Sequence, residues 1–177
     1  MRVGVLTISD RSARGEREDS SGPSLAAEMK SKGWHVARQA VVEDEASLVS
    51  QQLEQWADSG EVDLILTTGS TGFSPRDVAP EATLAVVNRL APGLAEAMRA
   101  HGLKQTPHAM LSRAVAGIRG EVLIVNLPGN PKAAQETLQV ILPALPHAVE
   151  LLQGVPGSEA HHRHSPPAPR SRPLLKA

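Results

Sequence analysis

The sequence predicts an α/β fold in three layers (α/β/α), with helices on both faces of a mostly parallel sheet that includes an antiparallel hairpin element. Three observations predict it. Apolar runs of strand length alternate with helix-period segments from Val3 to Thr68. Two of those runs, Val3-Gly4-Val5-Leu6-Thr7-Ile8 and Val62–Thr68, are almost continuously apolar, as strands covered on both faces must be. Further on, Arg113–Ile118 and Glu121–Asn126 flank Arg119-Gly120 at hairpin spacing. The first part reads βαβαβ, which favours parallel strands joined by right-handed crossovers.

Taken in order, Val3–Ile8 is the first strand. Ser20 or Ser21 offers an N-cap, and Leu25, Ala26 and Met29 mark the buried stripe of the first helix. Val36, Arg38, Ala40 and Val42 alternate as an edge or half-exposed strand does. Val49, Leu53 and Trp56 give the next helix, and Val62–Thr68 the third strand. Pro80 suits the first position of a helix running to about Arg89, with Glu81 in its favourable first turn. Pro92–Ala100 makes another helix, ended near Gly102. The last helix starts at Asn130 as N-cap with Pro131 next, and its stripe runs through Leu138, Ile141, Leu142, Leu145, Val149 and Leu152. Pro143 and Pro146 should kink it, and Gly154 should stop it.

The 177 residues suffice for one domain burying roughly 70% of its unfolded surface. Composition divides the chain into a domain over 1–154 and a segment over 155–177. That segment holds five of the 14 prolines and the histidines His161, His162 and His164. It is predicted to be a disordered tail, because it has too little apolar surface to order itself. Without it, 14 basic and 18 acidic residues remain, so charge supplies no reason to expect nucleic acid or an anionic membrane. Aromatics at 2% argue against base-stacking recognition. The lack of cysteine excludes disulfides and thiol chemistry and fits a cytoplasmic protein. No apolar stretch is long enough to span a bilayer and no signal-type segment opens the chain, so no membrane association is expected. His35, His101, His108 and His147 have no partners at metal-ligand spacing and read as core or surface histidines.

In an open α/β sheet, ligands bind beyond the carboxyl ends of the strands. Ser9-Asp10-Arg11, Glu43-Asp44-Glu45, Gly69–Asp77 and Leu127-Pro128-Gly129-Asn130-Pro131-Lys132 all leave those ends with polar or glycine-rich chemistry. In the third, Gly69 and Gly72 permit positive φ and close ligand approach, and Thr68, Ser70 and Thr71 add hydroxyls. It is neither a P-loop nor a dinucleotide fingerprint, and a plain glycine turn is the alternative. Asp77 beside a phosphate cradle would repel the phosphate unless Mg²⁺ sat between them, with Asp44 as the second carboxylate. Helix capping is the alternative for each acid. Arg76 suits a phosphoryl group, or a surface ion pair. Lys132, just inside a helix N-terminus where the dipole disfavours a cation, hints at a nearby anion. Pro128-Gly129 before a capped helix could present free N–H groups, or be only the helix entrance.

Together these residues resemble the molybdenum-cofactor biosynthesis family of MogA/MoaB and gephyrin G-domain type. The matching stretches are Thr7–Arg11, Asp19-Ser20-Ser21-Gly22, Thr67–Asp77, Pro80-Glu81-Ala82-Thr83, Pro92–Arg99, Leu111-Ser112-Arg113 and Asn126–Lys132. They follow family order over about residues 3–153. The family pattern usually has a second glycine where this chain has Ser70, and the acid before the second long helix often follows a proline rather than Glu43.

The resemblance implies a molybdopterin adenylyltransferase that joins the terminal phosphate of molybdopterin to the α-phosphorus of ATP and releases pyrophosphate. Asp77 and Asp44 would hold Mg²⁺. Gly69, Ser70, Thr71 and Gly72 would cradle phosphate, and Ser74, Arg76, Ser112 and Arg113 would hold anionic parts of the pterin. Ser9, Asp10, Glu81, Asn126, Pro128, Gly129 and Lys132 complete the implied substrate site. The resemblance also implies a homotrimer, in some members a hexamer, working with other molybdenum-cofactor synthesis proteins. A non-catalytic molybdopterin carrier or scaffold of the same fold is the alternative.

Overall fold

The computed structural model describes residues 1–158. Six strands form one sheet: β1 (Arg2–Ile8), β2 (His35–Val42), β3 (Leu64–Thr68), β4 (Arg89–Leu90), β5 (Ala116–Arg119) and β6 (Val122–Leu127). Their order is β2-β1-β3-β6-β5-β4. β2, β1, β3 and β6 run parallel, and β5 and β4 continue the sheet antiparallel, so the fold is the predicted mixed α/β architecture.

Strand alternation builds two cores. Val3, Val5, Leu64, Leu66, Leu123 and Val125 point to one face. There they meet α2 (Ser21–Ser31), α5 (Pro92–Leu103), α6 (Pro131–Ile141) and α7 (Leu145–Leu152) through Leu25, Met29, Met98, Leu138 and Leu145. Leu6, Ile8, Ile65 and Ile124 point to the other face. They pack on α3 (Ala46–Asp58) and α4 (Ala79–Val86) through Val49, Leu53, Trp56, Ala82 and Val86. Each fully buried Leu or Ile contributes about 1.5–3 kcal/mol of burial. β1 and β3 therefore have to be almost continuously apolar, as read from their sequence, with Thr7, Thr67 and Thr68 their buried polar side chains. β2 lies at the edge with only Val36, Ala37, Ala40 and Val42 half-buried, in keeping with its mixed pattern.

Several boundaries differ from the expectations, each for a physical reason. The helix predicted to reach Arg89 ends at Val86, because Arg89 and Leu90 pair with Ile118 and Gly117 as a short outer strand. The hairpin turn is Gly120-Glu121, one residue later than predicted, since Arg119 pairs with Val122. The final helix is broken rather than kinked. A 3-10 turn over Leu142–Ala144 separates α6 from α7, and Pro143 and Pro146 each fall at the start of a new piece, where a missing N–H is harmless. Asn130 caps α6 as predicted, its Oδ1 accepting from Ala133 N at 3.1 Å. Neither serine caps α2 with its side chain; Asp19 does, its Oδ1 accepting from Ser21 N at 3.0 Å and Gly22 N at 3.1 Å. A four-residue helix, α1 (Asp10–Ala13), was not anticipated.

The predicted tail over 155–177 lies outside the described residues except for 155–158, as does the histidine group at 161–164. Among the described residues, no helix is long and apolar enough to cross a membrane.

Candidate active site

Because β1, β2, β3 and β6 are parallel neighbours, their carboxyl ends open on one edge of the sheet, and the four predicted loops meet there. Between them lies a polar cleft of about 580 Å³ whose walls include Ser9, Asp10, Asp44, Gly69, Ser70 and Asp77.

Gly69 starts the turn after β3 at φ 101°, and a Cβ there would collide with the Ile8 carbonyl oxygen. Only glycine lets the loop pass so close to β1. Its N–H donates to the Leu127 carbonyl at 3.2 Å, and Thr68 Oγ1 donates to the Pro128 carbonyl at 2.7 Å, which ties the turn to the β6 loop. The second left-handed residue is Ser70 at φ 58°, not Gly72. Gly72 is needed for a different reason: a Cβ would lie 2.9 Å from Asp77 Oδ2.

Asp77 is half-buried, and its Oδ2 accepts from Ser74 N at 2.9 Å. The helix after it has no side-chain cap, so the capping alternative for Asp77 does not hold. Nor does Asp44 cap the helix that follows it. Its Oδ2 instead accepts from Asp10 N at 2.7 Å, while Asp10 Oδ1 accepts from Asp44 N at 3.0 Å. These bonds engage Oδ2 of both acids, and among the described residues no side-chain or backbone group donates to either Oδ1.

Arg76 reaches back over this pair, its Nε 3.1 Å from Asp10 Oδ2 and its Nη2 2.9 Å from both Asp10 oxygens. The Arg76 bonds hold the Asp10 carboxyl below the usual carboxylate range, with help from the Asp44 N–H and Arg14 and against the opposing effect of desolvation. Asp10 in turn raises the Arg76 guanidinium further.

Arg113 is engaged with the loop itself. Its Nε donates to the Gly72 carbonyl at 2.7 Å, its Nη2 to the Asp77 carbonyl at 2.7 Å, and its Nη1 meets Glu81. Arg113 and Glu81 therefore brace the glycine loop. Asn126 is fully buried. Its amide nitrogen donates to Thr67 Oγ1 and Thr83 Oγ1, both at 2.9 Å, and its Oδ1 accepts from Val115 N at 3.3 Å. With every polar atom so engaged, its amide acts as a tie between β6, β3 and α4. Lys132 points outward, its side chain 85% exposed and 3.8 Å from Glu136, which answers the apparent charge misfit without an anion.

Thr71, Gly72, Ser112, Asn126 and Pro128 border a second cavity of about 320 Å³ between α5 and α6, with mostly apolar walls from Ala95, Met98 and Ala109. The glycine loop is thus the partition between a polar cleft and an apolar cavity. Ser74, Arg76, Glu81, Arg113 and Lys132 line neither.

Two further cleft residues, Asp19 and Arg17, carry roles that sequence reasoning missed. Besides capping α2, Asp19 Oδ2 accepts from Thr7 Oγ1 at 2.7 Å. Arg17 Nη2 donates to Ser9 Oγ at 3.1 Å. The signal for Asp19 lay in the Asp19-Ser20-Ser21-Gly22 stretch, since Asp commonly bonds the N–H groups two and three residues on. Arg17 carried no such signal.

Mg²⁺ is bound by oxygen donors, commonly one or two carboxylates together with substrate phosphates. Asp44 and Asp77, each with one free oxygen in one polar cleft, fit that donor set. Among the described residues no group of three or more His, Cys, Asp or Glu could hold a metal ion, so the remaining ligands of any such ion would be water and substrate oxygens.

The family model described as "Probable molybdopterin binding domain" matches residues 4–147. Gephyrin of Dictyostelium discoideum is 44% identical over 184 residues, covering 98% of this chain and 25% of its own length. The chain thus spans about a quarter of that relative. A protein named molybdopterin adenylyltransferase from Helicobacter pylori is 40% identical over 156 residues, covering 87% of this chain and 89% of that protein. Among solved structures, the molybdopterin biosynthesis enzyme MoaB of Thermus thermophilus superposes with a TM-score of 0.82 at 50% identity, covering 86% of this chain and 96% of that one.

Proposed function

Since the chain belongs to the molybdenum-cofactor biosynthesis family of molybdopterin-binding domains, we propose that it adenylylates the terminal phosphate of molybdopterin at the expense of ATP, releasing pyrophosphate. The observation that carries this reading is the meeting of Asp44 and Asp77 with Gly69 and Ser70, the opening of the turn, in one polar cleft.

The reaction demands mainly positioning and charge neutralisation. Asp44 and Asp77 would hold Mg²⁺, which when bound neutralises charge on the phosphates. The turn that starts at Gly69 presents backbone to the ligand at close range. Arg76 neutralises phosphate on exchanging its Asp10 contact for the substrate. Arg113 and Glu81 keep the loop in the shape the carboxylate needs, rather than binding the pterin themselves. The polar cleft suits the triphosphate and the apolar cavity a flat heterocycle, with Ser112 on its wall. The domain boundary at 154, a homotrimer or hexamer, joint action with other molybdenum-cofactor synthesis proteins and a cytoplasmic location belong to the same proposal.

Purified protein with molybdopterin and Mg-ATP is expected to release pyrophosphate. No release above a protein-free control would sink the catalytic reading, and pterin binding without release would indicate a carrier.

A further inference from the structure

The loop after β3 closes on its own second residue, Ser70. Ser70, at φ 58°, is the only non-glycine among the described residues with positive φ, a region that Cβ disfavours. Glycine would adopt this conformation freely, so the serine must be judged by what its side chain bonds. Its Oγ accepts from Val78 N at 2.8 Å and donates to the Arg76 carbonyl at 3.4 Å. Its carbonyl accepts from Ala79 N at 3.0 Å. The hydroxyl therefore joins the opening of the loop to the residues on either side of Asp77. With Ser70 only 8% exposed, these bonds are shielded from water.

We infer that Ser70 is a positioning residue for Asp77: its hydroxyl clasps the 70–78 loop shut, and backbone strain at Ser70 is the cost of that clasp. This rests on the proposed metal-holding role of Asp77. Glycine at this position would remove strain and clasp together, whereas alanine would keep the strain and remove only the clasp. The two substitutions separate backbone from hydroxyl.

The test compares the unaltered protein with Ser70→Gly and Ser70→Ala. Thermal unfolding, hydrogen exchange at the Val78 amide, Mg²⁺ affinity by calorimetry and pyrophosphate release are measured for each. In both variants the Val78 amide should exchange roughly tenfold faster and kcat should fall roughly fivefold, the scale of one neutral hydrogen bond. The KM for ATP should stay unchanged while the Mg²⁺ needed for half-maximal rate rises. Ser70→Ala should melt below Ser70→Gly; if alanine prevents folding, Ser70→Gly carries the test alone. Unchanged Val78 exchange or full kcat in Ser70→Gly would overturn the inference. So would a raised KM for ATP with kcat intact, which would make the hydroxyl a direct phosphate contact. Should the unaltered protein release no pyrophosphate, the proposed activity falls, and the Val78 amide with the Mg²⁺ affinity still decides the clasp.

Discussion

Asp10 and Asp44 exchange backbone hydrogen bonds: each carboxylate accepts the other's N–H, at 2.7 Å and 3.0 Å. This reciprocal pair locks the β1 and β2 loops together and aims Asp44 into the cleft that Asp77 also lines. Arg76 then draws the loop carrying Asp77 against the same pair through Asp10. Three loops far apart in sequence thereby meet at one cleft.

Asp77→Asn keeps an oxygen for the Ser74 N–H but removes the charge. It should leave melting temperature almost unchanged and lower turnover at least ~100-fold, the scale of losing one preorganised charge-stabilising group. Pyrophosphate release paired with thermal unfolding checks both; near-normal turnover would dismiss the metal role.

Acid should loosen the site. The folded-state pKa of Asp10 is depressed, first by the Arg76 hydrogen bonds. Its contribution is therefore complete above the unfolded value of about 3.9 and disappears as pH falls through the lower folded value. Asp10→Asn should melt below the unaltered protein at neutral pH, and the gap should narrow below about pH 4. A gap that stays constant down to pH 3 would show that the Arg76 contact contributes nothing in solution.

Gly69→Ala places a methyl group against the Ile8 carbonyl at φ 101°. The strain and the displaced backbone together should cost about 2–4 kcal/mol, measured by denaturant unfolding. An effect within a few tenths of a kcal/mol would mean that β1 and the turn can separate freely.

Asn126→Leu would strand Thr67, Thr83 and the Val115 N–H in the core. A loss of about 2–4 kcal/mol is expected, because buried polar groups would lose their partners. If the variant loses pterin affinity at undiminished stability, Asn126 is a substrate contact after all.

The readable parts of the fold were those whose environment is uniform. Strands β1 and β3 are covered on both faces, so nearly every side chain carried the signal, and α6 announced itself through Asn130-Pro131. By contrast, β4 is two exposed residues held only by pairing with β5, and no local pattern marks it. Helix α1 is four residues long, and beyond its Ser9 cap its first N–H is held by the Asp44 carboxylate 34 residues away. At the site, sequence identified acids and a glycine that meet in the cleft, Asp44, Asp77 and Gly69, but not the bonds that Arg113 and Asn126 make to distant parts of the chain. Arg113 and Asn126 looked like ligand contacts because their side chains can bond anions and heterocycles. Lys132 finds its countercharge in Glu136 one turn later.

Sequence alone determined the α/β class, the parallel central strands, the carboxyl-edge location of the loops and the family resemblance, because hydrophobic period, helix caps and glycine turns are local properties. Only the tertiary structure decided the strand order, the two-cavity division at the glycine loop, the Asp10–Asp44–Arg76 linkage and the left-handed geometry of Ser70. Each depends on groups brought together across the fold, and a hydrogen bond has no signature in sequence until both ends are in place.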